Sequence, residues 1–201
     1  VGSGTGLAIG TDGKVHIVYE DATNSQVGYA TNSPWSFWTV YDLGDEAAPD
    51  NYLSMVKDAQ GAYHISFYDV DDPSLRYSTN KDGYWATSLV DNAADVGQFC
   101  SIGVDANGKA HISYYDNTNA QLKYANNTGG TWTKTEVDTA GSVGMFSSIA
   151  IDANGKAHIS YRDSTSDFKL KYATNAGGSW TNTTVDSTGF TGTHTDIAVD
   201  A

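Results

Sequence analysis

The sequence predicts an all-β protein built from one four-stranded unit repeated four times, and three observations predict it. The first is residue usage: Gly is 21 of 201 residues, aromatics are 12%, and among the acids only Glu20, Glu46 and Glu136 are glutamate. Asp, Asn, Gly, Ser and Thr serve tight turns, while Tyr, Trp, Val, Ile and Thr favour strands. The second is a histidine inside a β-like run that recurs at His16, His64, His111 and His158, in VHIVYED, YHISFYD, AHISYYD and AHISYRD. The third is a tyrosine, Tyr29, Tyr77, Tyr124 and Tyr172, which keeps pace at steps of 47 or 48 residues.

Each unit divides into strands A to D. Strand A is SMVKDA, SIGVDA or SIAIDA, with GLAIGTDG as the most diverged copy. A turn of the D-A-N-G kind, whose Gly supplies a positive φ, leads into strand B with its histidine. Strand C holds the repeat tyrosine, and a second glycine turn opens strand D at Trp38, Trp85, Trp132 or Trp180. Four hairpin-linked strands in about 47 residues match one blade of a β-propeller. Blades are expected over residues 4–44, 50–91, 97–138 and 144–186, with the first strand of another over 193–201. Such a chain is part of a larger ring, or closes as four blades with TDIAVDA displacing the first strand A, or self-associates by lending its terminal strand to a neighbour.

At the C–D turn, Ala173 to Trp180 (ATNAGGSW) resembles the Asp-box of the bacterial sialidase-like, or BNR-repeat, propellers, whose pattern is Ser-x-Asp-x-Gly-x-Thr-Trp. Asn175 stands for the Asp and Ala173 for the Ser. Ala125 to Trp132 matches similarly, Ser78 to Trp85 has Asp82 at the first glycine, and the first unit, with Pro34, departs further. The resemblance implies the fold and an extracellular or cell-surface setting, and little about activity. That family clamps its acidic sugar with three arginines, because a bidentate fork matches a carboxylate. This chain has only Arg76 and Arg162, so sialidase activity is not expected and no catalytic residue is nominated.

Composition excludes further classes. A net charge of −13 without a basic cluster argues against nucleic acid as a partner. No apolar run approaches the roughly 18 residues of a membrane helix, so no membrane insertion is expected. Cys100 is the only cysteine, which rules out a disulfide within the chain and a cysteine-based zinc cluster.

Three residue sets are candidates for chemistry. The histidines, with Asp21, Asp69, Asp116 and Asp163 at the strand B ends, read as a buried polar network locking each blade; metal binding or catalysis is the alternative. Asp69, Asp71 and Asp72 are a candidate calcium loop, although they lack the Asp-x-Asp-x-Asp-Gly frame, and no other cofactor is expected. The third set lies where the long D–A connections and the B–C loops share one face. It comprises Glu20, Tyr68, Tyr115 and Arg162 at the strand B ends, and Tyr52, Phe99, Phe146 and His194 at the start of strand A. Aromatic rings with scattered polar groups suit stacking on sugars, whereas the plainer reading packs Phe99 and Phe146 between blades. The expectation is a non-catalytic extracellular module binding carbohydrate or protein through that face. The alternatives are a self-assembling surface or filament unit joined by strand exchange, and a glycoside hydrolase-like propeller with catalytic residues partly outside this chain.

Overall fold

The computed structural model describes residues 5–11, 13–32, 38–43 and 49–200. Among the described residues sixteen strands form four antiparallel sheets, each in sequence order. Blade 1 is β1 (Thr5–Ile9), β2 (Val15–Asp21), β3 (Gln26–Asn32) and β4 (Trp38–Asp42). Blade 2 is β5 (Pro49–Lys57), β6 (Tyr63–Asp69), β7 (Ser74–Thr79) and β8 (Ala86–Asp91). Blade 3 is β9 (Val96–Val104), β10 (Ala110–Asp116), β11 (Gln121–Asn126) and β12 (Thr133–Asp138). Blade 4 is β13 (Val143–Ile151), β14 (Ala157–Asp163), β15 (Lys169–Thr174) and β16 (Thr181–Asp186). The A strands of successive blades lie side by side and the D strands diverge, so strand A lines the inner wall.

Local chemistry sets each hairpin. In the A–B turns the amides of Gly61, Gly108 and Gly155, all at positive φ, donate to the carbonyls of Asp58, Asp105 and Asp152 at 2.9–3.2 Å. The same aspartates accept the amides of Ala62, Lys109 and Lys156 on their side chains at 2.8 Å, as Asx-turns do. In the C–D turns the side-chain oxygens of Asn32, Asn80, Asn127 and Asn175 accept the first amide of strand B at 2.7–2.9 Å. That bond explains why Asn can stand in the Asp position of the box, and it places Asn32 in the pattern despite the altered first unit.

Apolar cores form between blades. Each of three clusters joins the C and D strands of one blade to the A and B strands of the next, as in Leu75, Tyr77 and Val90 against Ile102, Ile112 and Tyr114. The strand D tryptophan reaches back: Trp85, Trp132 and Trp180 stand edge-on to Tyr29, Tyr77 and Tyr124 at 5.0–5.1 Å. Blade 1 has no described blade before it, and Leu7, the counterpart of buried Met55, Ile102 and Ile149, is 62% exposed.

A buried ionic contact crosses two boundaries. Asp91, which ends β8, accepts Lys123 Nζ at 2.6 Å and the Tyr114 hydroxyl at 2.8 Å, both from blade 3. Asp138 is held in the same way by Lys171 and by the Tyr161 hydroxyl of blade 4. Burial pushes the pKa of both carboxyls up, but the lysine and tyrosine hydrogen bonds outweigh it and hold them below the usual range.

The terminal TDIAVDA does not displace β1, which keeps its pairing with β2. Nor do residues 193–200 form the expected strand ladder. They dock through side chains in the place of a fifth strand A: Thr195 donates to the Phe146 carbonyl at 2.7 Å, and Ser148 to Asp196 at 3.1 Å.

Asp91→Ala leaves Lys123 buried without its closest carboxylate, and urea unfolding is expected to show a loss of about 3–5 kcal/mol. Asp186→Ala, at the same register where no lysine arrives among the described residues, is expected to cost less than about 1 kcal/mol. Because Asp91 and Asp138 have lowered folded pKa values, their contribution is present above about pH 4 and lost as pH falls through those values. The urea midpoint should therefore drop steeply on acidification below that point.

Candidate functional site

The D–A connections and B–C loops hydrogen-bond to each other and so share one face: Asn117 N donates to Asp95 O at 3.0 Å, and Ser164 N to Ser142 O at 2.7 Å. There the start of strand A is bent by a bulge in β9 and in β13. Gly97 and Gly144 open the bulges at φ 116° and 111°; a Cβ would stand 2.9 Å from Leu75 Cα at the first and 2.7 Å from Leu122 Cα at the second. Two residues on, Phe99 and Phe146 sit in the left-handed region at φ 52° and 54°. A bulky residue there costs on the order of 1–3 kcal/mol.

This backbone brings all four strand A candidates together. Tyr52 and Phe99 have ring centroids 4.4 Å apart, Phe99 and Phe146 4.6 Å, and Phe146 and His194 5.0 Å, one ring from each of blades 2, 3 and 4 and one from the terminal segment. The rings line a shallow depression of about 190 Å³. Beneath them, Cys100, Ser147 and Thr195 donate to the carbonyls of Tyr52, Phe99 and Phe146, tying each rung to the one before. Burial pushes the Cys100 thiol up to about 12, which keeps it protonated as a donor.

The strand B candidates stand behind the ladder. Tyr68 and Tyr115 are 4% and 3% exposed, edge-on to Tyr52 and Phe99. The Tyr68 hydroxyl donates to Asp95 at 2.8 Å, and that of Tyr115 lies 3.3 Å from Ser142 Oγ. Arg162 lies beside Phe146, its Cζ 5.5 Å from the ring centre. Glu20 holds the same register at the end of β2, half-buried.

The expected histidine network divides in two. The ring partners are not the strand-end aspartates but the strand C tyrosines: His16, His64, His111 and His158 place Nδ1 2.5–2.6 Å from the hydroxyls of Tyr29, Tyr77, Tyr124 and Tyr172. His64 Nε2 meets Asp58 of the A–B turn at 3.0 Å, so Nε2 carries the proton and Tyr77 donates to Nδ1. Asp21, Asp69, Asp116 and Asp163 instead cap their own B–C loops. They point along the strand end, whereas the histidine ring reaches across to the neighbouring strand. Asp69 accepts the amides of Asp71 and Asp72 and pairs with Arg76 at 3.0 Å, and Asp72 also pairs with Arg76 at 3.1 Å. Among the described residues no three His, Cys, Asp or Glu side chains converge as a metal set.

Two devices escaped the sequence reading. The Gly-x-aromatic spacing in VGQF, VGMF and TGTH was visible, but the bulge it encodes was not inferred. The alternation of Asp at the end of strand D with Lys at position two of LKY was equally visible, with nothing to say that the two meet across a boundary.

The chain matches no known family description and no curated protein. Solved structures do match. AofleA from Arthrobotrys oligospora, as a triple arginine-to-alanine mutant, superposes with TM-score 0.63 at 15% identity, over 92% of this chain and 57% of its own. The GH93 α-L-arabinofuranosidase of Fusarium graminearum with arabinobiose gives 0.62 at 14%, over 90% and 65%. An exo-β-1,3-galactanase variant from Phanerochaete chrysosporium with β-1,3-galactotriose gives 0.56 at 15%, over 90% and 49%. The fold is a β-propeller of four-stranded blades. This chain spans between about half and two thirds of the length of these structures.

Burial lowers the pKa of His64 and His111 below the ordinary value, against the opposing pull of Asp58 and Asp105. Below about pH 6.5 the unfolded chain takes up protons that these folded rings refuse, so stability is present above that pH and declines as pH falls. Imidazole NMR titration should place both midpoints below 6.5, with the urea midpoint beginning to fall in the same range.

Proposed function

We propose that this chain is a non-catalytic carbohydrate-binding propeller module, acting outside the cell and using the Tyr52–Phe99–Phe146–His194 ladder as its ligand face. The observation that carries the reading is the left-handed backbone at Phe99 and Phe146. Two aromatic residues held in an unfavourable conformation, at the same register of successive blades, set strain aside for a surface rather than for a core. Three half-buried rings and an exposed imidazole lining a shallow depression suit the apolar faces of sugars, and the carbonyls and hydroxyls around them supply fixed hydrogen-bond partners.

Two further lines support carbohydrate over protein as the ligand. The Asp-box resemblance is to propellers that act on sugars. Two of the similar structures are glycosidases solved with arabinobiose and β-1,3-galactotriose.

Those two oligosaccharides, with a neutral glycan panel, are the probes for titration calorimetry. Phe99→Ala and Phe146→Ala are each expected to weaken binding about tenfold, or about 1.4 kcal/mol, with Trp38→Ala on another face leaving it unchanged. Phe99→Leu, which keeps the bulk but not the aromatic face, separates stacking from packing and should bind as weakly as the alanine variant. Release of reducing sugar by the purified protein would replace the binding reading with the glycosidase one.

A further inference from the structure

Among the described residues Arg162 is a cation with no counter-charge, in a chain of net charge −13. The other arginine, Arg76, pairs with Asp69 and Asp72, and the buried Lys123 and Lys171 pair with Asp91 and Asp138. The Arg162 side chain makes no hydrogen bond or ion pair among the described residues, and its Nε is buried without a partner. It is held by rings alone, with Cζ 3.7 Å from the centre of Phe168 and 5.5 Å from that of Phe146.

Blade 4 differs from blades 2 and 3 at this register. At the same register Tyr68 and Tyr115 find oxygen partners one loop on, in Asp95 and Ser142. The corresponding residue after blade 4 is Phe190, which is 82% exposed and 5.0 Å from Phe168. A ring stands where the other blades have an acceptor. The B–C loop of blade 4 is also one residue longer, nine positions from Asp163 to Tyr172 against eight from Asp116 to Tyr124. Gly192, at φ 78°, lets the following segment cross over Arg162, since a Cβ there would stand 3.3 Å from Arg162 Cβ.

Beside this corner lies a depression of about 350 Å³ whose lining includes Asp167, Phe168, Lys169 and Phe190. Asp167 and Lys169 offset each other in formal charge, which leaves Arg162 as the uncompensated group. A guanidinium nitrogen removed from water without an acceptor is costly, and its planar fork matches a carboxylate in two-point contact.

We infer that blade 4 carries a carboxylate-recognising subsite, with Arg162 as its donor, and that the glycan bound by the ladder is an acidic one of the uronic-acid kind. The inference rests on the carbohydrate reading and narrows it. The sugar ring lies against Phe146 at the end of the ladder, and its carboxylate takes the donors of Arg162 that its sister tyrosines would have spent on the protein.

The test is calorimetry at low ionic strength with trigalacturonate, trimannuronate and their neutral methyl esters, plus hexaglutamate as a peptide of like charge. Wild type is expected to bind at least one acid about tenfold or more tighter than its ester. Arg162→Gln and Arg162→Met should bind acid and ester alike, at the wild-type ester affinity, and Arg162→Lys should keep a reduced preference. Phe146→Ala should weaken both forms. Thermal melting of each variant shows whether it is folded, and two replacements of different shape guard against one that is not. Equal wild-type affinity for acid and ester, with Phe146→Ala weakening both, would overturn the carboxylate subsite and leave the carbohydrate reading standing. Binding of neither form overturns the carboxylate subsite, the carbohydrate reading then falling only if the neutral glycan panel also fails to bind, and binding of hexaglutamate alone transfers the site to an acidic peptide.

Discussion

The aspartate that ends strand D of blade 2 or blade 3, gripped by a lysine and a tyrosine of the next, is the contact on which the stacking of blades 2 to 4 depends. An apolar interface between two sheets tolerates sliding, because dispersion and area burial are nearly indifferent to small shifts. A carboxylate within 2.6 Å of an ammonium and 2.8 Å of a phenol is not. The ionic contact need not add net stability over a hydrophobic replacement, but it fixes how one blade sits on the next, with a steep penalty for leaving either charge alone. The first boundary differs: Phe67 stands where Tyr114 and Tyr161 stand later, and Arg76 turns to Asp69 and Asp72 of its own blade.

The two ends of each blade serve opposite purposes. At the A–B and C–D turns, polar groups find partners in a repeated pattern: asparagine oxygens cap strand B, aspartates close their own turns, and histidine is held by a tyrosine. The opposite face carries what the fold leaves unresolved, namely two phenylalanines at positive φ and one arginine without a counter-ion among the described residues. The first face explains why the units resemble each other, and the second where they are free to differ.

The repeat was legible because the histidine, tyrosine and tryptophan answer to local geometry that every blade must share. Strand identities, turn types and the face bearing the candidate residues followed from it. The ladder residues could be nominated, since they vary or persist at fixed register, but not their order of depth. Tyr68 and Tyr115 look like surface residues at a strand end, yet lie behind the rings of Tyr52 and Phe99 because the bulge carries strand A outward over them. The Asp91–Lys123 contact was not legible, because 32 residues and a blade boundary separate its members. The histidine partners were misassigned for a related reason: sequence proximity favoured Asp69 and its equivalents, while the ring reaches across the sheet to Tyr77.

Because each such contact is shared between the last strand of one blade and the middle strands of the next, the repeat has a natural unit of inheritance. Duplication or loss of a whole period taken from blades 3 and 4 rejoins an aspartate to a lysine and a tyrosine of the right kind. A length change of any other size separates them. The geometry thus admits growth and shortening only in whole blades, and it gives each new copy a ready-made neighbour on both sides. The ligand face of that copy, held by none of these contacts, is then open to change on its own.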